Sequence, residues 1–210
     1  NKRFDIQGVR AWAVLAVAIF HFFPSILPWG FLGVDVFFVL SGFLISLVLD
    51  RKPCVAATYL DFYFKRFKRI FPLAILVTLV NLLVVARKYD LTLVKVGART
   101  ALYALFFVTS YNLRDEGEDY FEALEEANDY FTHYWSLSVE IQFYVLAPLI
   151  LHILKPSPTH PTRLLLYLSS LALCSLVLSL TLPPEDAFSS TLCRLWQFLA
   201  GAMAFNLGKV

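Results

Sequence analysis

The chain has 210 residues, with 18 Lys and Arg against 16 Asp and Glu; at a net charge of +2 no global basic field argues for a nucleic-acid partner. Hydrophobic residues make up 59% and charged residues 16% of it, where an ordinary soluble domain is about 25% charged, so a soluble core of this size is excluded and lipid must supply part of the apolar surroundings. Four histidines, and three cysteines (Cys54, Cys174, Cys193) without CxxC spacing, point to neither a metal centre nor a disulfide framework.

Backbone groups in lipid must be paired within their own segment, so spans of about 20 mostly apolar residues are predicted to be helices. The predicted fold class is all-α, a polytopic transmembrane helix bundle. Its spans fall at 9–27, 30–49, 72–86, 99–111, 134–154, 164–182 and 192–207, about six to seven in all, with 99–111 and 192–207 the weakest. The first apolar run is long for a signal-peptide core and no small-residue cleavage site follows it, so it reads as a retained span. Pro24 to Gly30 is a tight uncharged turn whose prolines end the first helix. Asp50 to Phe71 reads as a connection with six basic residues. Arg87–Arg99 is a connection with four. The stretch 112–133 reads as a solvated acidic loop, with eight carboxylates and Arg114. Lys155 to Pro161 is a proline-rich turn. Both ends of the chain read as cut: it starts at Asn1 and stops in an apolar stretch.

Lys2, Arg3 and Arg10 flank the first span and six basic residues follow the second, while the turn between them has none. This bias predicts a cytoplasmic N-terminus and a cytoplasmic Asp50–Phe71 connection.

Ionisable groups inside spans are expensive and default to functional hypotheses. Arg10 and His21 are 11 residues apart, about three full turns, which puts both on one helix stripe roughly 16 Å apart along the axis. That arrangement suits a cation gripping an anionic carrier at the cytoplasmic mouth and a base deeper in the membrane. Asp35, near the outer end of the second span, is expected to reach the depth of His21 on an antiparallel neighbour and to fix the imidazole tautomer. Arg66 and Arg69 share one helical face, and guanidinium groups take phosphates through paired hydrogen bonds. Glu140, inside the fifth span, is a further candidate; its depth relative to His21 depends on which way that span runs.

These residues sit in blocks that resemble one family. Phe4-Asp5-Ile6-Gln7-Gly8-Val9-Arg10, with His21 after ten intervening residues, is similar to the opening signature of acyltransferase family 3. Gly33 to Ile45 (GVDVFFVLSGFLI) resembles its second-span motif, and Arg66 to Pro72 its Arg-x-x-Arg motif. Trp135 to Tyr144 (WSLSVEIQFY) resembles its WSL-x-VE-x-QFY block, and Arg194 to Gly201 a later block, with Gln197 where glutamate is more usual. The acidic insertion before Trp135 looks most like the invertebrate animal-type branch. The resemblance implies about ten spans in a full domain, of which the last few would be missing here, and many members carry a C-terminal SGNH-type hydrolase-like domain.

The resemblance implies an O-acyltransferase moving an acyl group, often acetyl, from cytoplasmic acyl-coenzyme A to the hydroxyl of a glycan, lipid or small molecule. Acyl-coenzyme A is then a co-substrate, with no permanently bound cofactor; the other partners are the bilayer and the hydroxyl acceptor. His21, Asp35 and Glu140 are the expected catalytic residues, and Arg10, Arg66 and Arg69 the donor-binding ones. The rival expectation is a non-catalytic relative that transports lipids or small molecules.

Overall fold

The computed structural model describes residues 3–50, 55–89, 91–109, 130–153 and 161–208. Apart from a 3-10 turn at Gly30–Leu32, the regular elements among them are α-helices: α1 (Phe4–Phe22), α2 (Gly33–Asp50), α3 (Ala56–Lys88), α4 (Leu91–Leu105), α5 (Tyr134–Ile153), α6 (Pro161–Thr181), α7 (Pro184–Ser189) and α8 (Thr191–Leu207). Five helices among the described residues are long and apolar enough to cross a membrane. They begin at Phe4, Gly30, Ala57, Tyr130 and Thr162, and the chain is an all-α, multi-pass membrane protein. At 15 and 17 residues, α4 and α8 are shorter than the roughly 20 residues of a full span. Of the acidic loop, residues 112–129 lie outside the described residues.

Three boundaries differ from the sequence expectation, the first being the fourth span: its helix starts at Leu91, inside the stretch Arg87–Arg99 read as a connection, and ends at Leu105 rather than residue 111. Helix α1 ends at Phe22 rather than Leu27: the Phe23 N–H closes the last turn on Ile19 O at 2.7 Å, and Pro24 bars its predecessor from helical geometry. The basic stretch before Pro72, read as a connection, instead forms the first half of the 33-residue α3. From Ala56 to Phe71 no Gly or Pro interrupts the chain, and Lys65 pairs with Asp61 one turn back at 2.9 Å. Charge pattern marks a water-facing segment; it does not by itself break a helix.

The chain divides into two compact units, Asn1–Pro53 with Leu146–Val210, and Cys54–Val145. In the first, α1 and α2 form a hairpin closed at two glycines. A Cβ on Gly30 would fall 2.3 Å from Ala16 O, and one on Gly33 would fall 2.5 Å from Ala13 O, so only hydrogen fits where these backbones meet. Helix α8 lies along the other side of α2, and the two run parallel. Phe38 stacks on Phe198 with centroids 4.7 Å apart, and Phe43 meets Phe205 edge-on at 5.6 Å. Helix α6 returns through α7 into α8, where the Ser175 hydroxyl donates to Leu192 O (2.6 Å) and accepts from Trp196 N–H (3.0 Å).

In the second unit, α4 and α5 both run antiparallel to α3. Gly97 of α4 packs on Val85, and Ala101 and Ala104 cluster with Ala74, Phe131 and Tyr134. Just before α5, Tyr130 O accepts from Asn81 Nδ2 at 2.6 Å. The buried Tyr134 hydroxyl lies 2.9 Å from Thr78 Oγ1 and donates to Ala74 O at 2.8 Å. Tyr63 donates to Val145 O at 3.1 Å. As the α5 number rises the α3 number falls, which settles the direction the sequence left open: Glu140 lies toward the basic, N-terminal half of α3.

Candidate functional site

The sequence-predicted residues fall into two groups, one in each unit. In the first unit Asp35 does not orient His21. Its Oδ1 accepts from Arg194 Nη1 at 3.1 Å and from Gln197 Nε2 at 3.0 Å, with side-chain exposures of 28% for Asp35 and 19% for Arg194. The reason is helical phase. Gly33 faces α1, and two residues on, about 200° around the helix, Asp35 faces α8 with Phe38 and Gly42. The expected carboxylate–imidazole pair is replaced by a carboxylate–guanidinium ion pair, which offsets the desolvation cost of both charges. Gln197, 1% exposed, keeps its amide N–H toward the carboxylate, which can only accept; a glutamate there would supply that donor only when protonated.

Changing Asp35 to Asn should leave the Arg194 charge half-buried without its counter-ion and lower stability by about 2–3 kcal/mol. Thermal melting in detergent reads this, and Asp35→Asn combined with Arg194→Gln should recover most of the loss. A full loss in the double variant would mean that the pair is not what Asp35 serves.

His21 sits exposed in the last turn of α1, its Nδ1 2.8 Å from the Val17 carbonyl oxygen. A carbonyl only accepts, so Nδ1 carries the proton and Nε2 is the basic nitrogen. The tautomer that the sequence reading assigned to Asp35 is set by backbone of the same helix. Arg10 is half-buried two-thirds of the way back along α1.

The second unit holds the other group. Arg66 is half-buried, with its guanidinium carbon 5.5 Å from the Phe62 ring centroid and 4.9 Å from that of Tyr144. Its Nη1 donates to the Tyr144 hydroxyl at 3.4 Å, and that hydroxyl donates in turn to Glu140 Oε1. Arg69 is exposed one turn further along α3. Among the described residues no carboxylate pairs directly with Arg10, Arg66 or Arg69. A guanidinium braced by two rings and not neutralised by contact keeps most of its N–H groups for an anion.

Sequence reasoning missed Arg194 and Gln197 as the partners of Asp35, and missed Phe62 and Tyr144 around Arg66. The signals were present. Asp35, Phe38, Gly42 and Ile45 mark one stripe of α2 pointing at a second helix, and Glu140 and Tyr144 stand at the i, i+4 spacing of side chains that meet.

A family model described as an acyltransferase domain matches residues 3–210. The chain is 33% identical over 204 residues to the O-acetyltransferase OatA of Staphylococcus aureus, covering 94% of this chain and 33% of that protein. It is 30% identical over 209 residues to the peptidoglycan O-acetyltransferase OatA of Listeria monocytogenes, covering 96% of this chain and 33% of that one. It thus spans about a third of the length of the curated relatives it matches. No solved structure matches it. With the family model covering nearly the whole chain and the five motif blocks in order, this chain belongs to the acyltransferase 3 family.

Proposed function

We propose that this protein is a membrane O-acyltransferase that moves an acyl group, acetyl in the simplest case, from acyl-coenzyme A at the cytoplasmic face to a carbohydrate hydroxyl. The observation that carries this reading is the Arg66 cluster: a half-buried, ring-braced guanidinium with no carboxylate on it among the described residues, tied through a hydroxyl to Glu140. A diphosphate-bearing carrier is the anion such a site suits. The carbohydrate acceptor follows the relative whose name specifies peptidoglycan. A cytoplasmic N-terminus follows the bias of basic residues around the first two spans.

In the reaction, the acceptor hydroxyl oxygen bonds to the thioester carbonyl carbon and its proton passes to His21 Nε2. The carbon–sulfur bond then breaks, and the coenzyme A thiolate leaves and takes up a proton. Arg66 and Arg69 hold the donor's diphosphate, Arg10 adds positive charge on the stripe that ends at His21, and Glu140 assists proton transfer or acceptor binding. Asp35 is assigned to Arg194 and takes no part in the proton transfer.

The test is thiol release from acetyl-coenzyme A by the full-length protein in detergent, with and without a peptidoglycan fragment bearing hydroxyl groups. Acceptor-stimulated thiol release is expected. Transport of a lipid or small molecule across proteoliposomes without thioester cleavage would overturn the reading in favour of a carrier.

A further inference from the structure

Resting on that reading, we propose that Tyr144 is a positioning residue of the donor site, clamping Arg66 with its ring and tying Glu140 to the guanidinium with its hydroxyl. Three observations converge within the second unit. The guanidinium carbon of Arg66 lies 4.9 Å from the Tyr144 ring centroid and 5.5 Å from that of Phe62, so two aromatic rings fix the plane of a side chain that otherwise has four rotatable bonds. The same tyrosine oxygen accepts from Arg66 Nη1 and donates to Glu140 Oε1. The hydroxyl thus bridges cation to carboxylate, with a lone pair turned to Arg66 and its proton turned to Glu140. Tyr144 is also 5% exposed, and its ring meets Phe62 edge-on at 6.4 Å, so the phenol is itself locked by packing.

The arrangement separates two jobs. The ring of Tyr144 decides where the guanidinium sits, and so how well a diphosphate binds. The hydroxyl decides where the Glu140 carboxylate sits relative to that guanidinium, and so whether a bound donor meets it in the reacting geometry. One nucleotide-sized anion of the diphosphate class, held on the remaining N–H groups of Arg66, would thereby be kept in register with a carboxylate one turn back along α5. Glu140 and Tyr144 are four residues apart on one helix, so this register is built into α5 and does not need a loop to close.

The two jobs predict different losses. In the full-length protein, Tyr144→Phe keeps the ring and should leave coenzyme A affinity, measured by calorimetry with coenzyme A itself, within about twofold of the parent, while kcat falls by about 10-fold or more. Tyr144→Ala removes both, and should also weaken coenzyme A binding by about 10-fold. In a Glu140→Gln background the Tyr144→Phe change should cost little further, because the carboxylate it positions is gone. A merely structural tyrosine would lower kcat and affinity together in both variants, or melt the protein, and either pattern overturns the proposal. An unchanged kcat in Tyr144→Phe overturns it while leaving the acyltransferase reading intact. If the parent binds coenzyme A but never releases thiol, that reading fails and the clamp is judged on affinity alone, where equal affinities for Tyr144→Ala and the parent would reject it.

Discussion

Replacing His21 by alanine in the full-length protein is expected to lower acyl transfer by at least about 100-fold while coenzyme A affinity stays near that of the parent, since general-base catalysis is worth about 10²–10⁴ in rate. The expectation rests on the ring's protonation. With Nδ1 2.8 Å from Val17 O, that nitrogen donates to the backbone carbonyl, so Nε2 is the basic nitrogen of the ring. The side chain is exposed, so its removal leaves no cavity in the described residues, and an intact melting temperature should accompany the lost activity. His21→Gln is the sharper variant, keeping size and a hydrogen bond to Val17 while removing the base. Retention of more than about a tenth of the rate in His21→Gln would show that another group takes the proton. The loss should be independent of the Asp35 variants, because Asp35 is bonded to Arg194 and Gln197; a strong coupling between His21 and Asp35 would contradict the geometry.

The second large effect is on stability. A Cβ on Gly42 would stand 1.8 Å from Phe198 O, and one on Gly201 would stand 1.9 Å from Val39 O. Both contacts are backbone, so neither can be relieved by a rotamer; α2 and α8 would have to part by more than about 1 Å to restore van der Waals contact. Parting them strains the Phe38–Phe198 stack and the Asp35–Arg194 pair together. Gly42→Ala is therefore expected to destabilise the first unit by about 3 kcal/mol or more, at the severe end of overpacking, read as a fall in melting temperature and a loss of monodisperse protein in detergent. Gly8→Ala is the matched control. A Cβ there meets nothing within 4 Å, and in a helix interior the change should be neutral or stabilise by up to about 1 kcal/mol. A Gly42→Ala protein that melts with the parent would mean the two helices do not touch at this point.

These expectations show which parts of the molecule were legible before folding. The spans could be read because lipid leaves the backbone few choices: an apolar run of sufficient length must be a helix, and α2, α5 and α6 lie close to where hydropathy put them. The basic stretch before Pro72 was misread because charge reports solvent, and a helix can carry charged side chains out of the membrane without ending. The Arg66 and Arg69 pair was legible from spacing alone. The Tyr144 ring that braces Arg66 was harder to see, since the two residues lie 78 apart in the chain; Phe62 stands one turn before Arg66 on the same helix.

The amino-acid sequence by itself determined that this is an α-helical membrane protein of the acyltransferase 3 family, and which few ionisable residues lie in its apolar runs, because composition and local periodicity are properties of the chain alone. Only the tertiary structure decided who partners whom. It turned Asp35 toward Arg194, left the His21 tautomer to a backbone carbonyl, and brought Glu140 through Tyr144 to Arg66. The physical reason is that a helix presents each side chain at its own angle, so depth in the membrane does not fix a contact. The neighbour that occupies that angle is set by where close-packing glycines let two backbones meet.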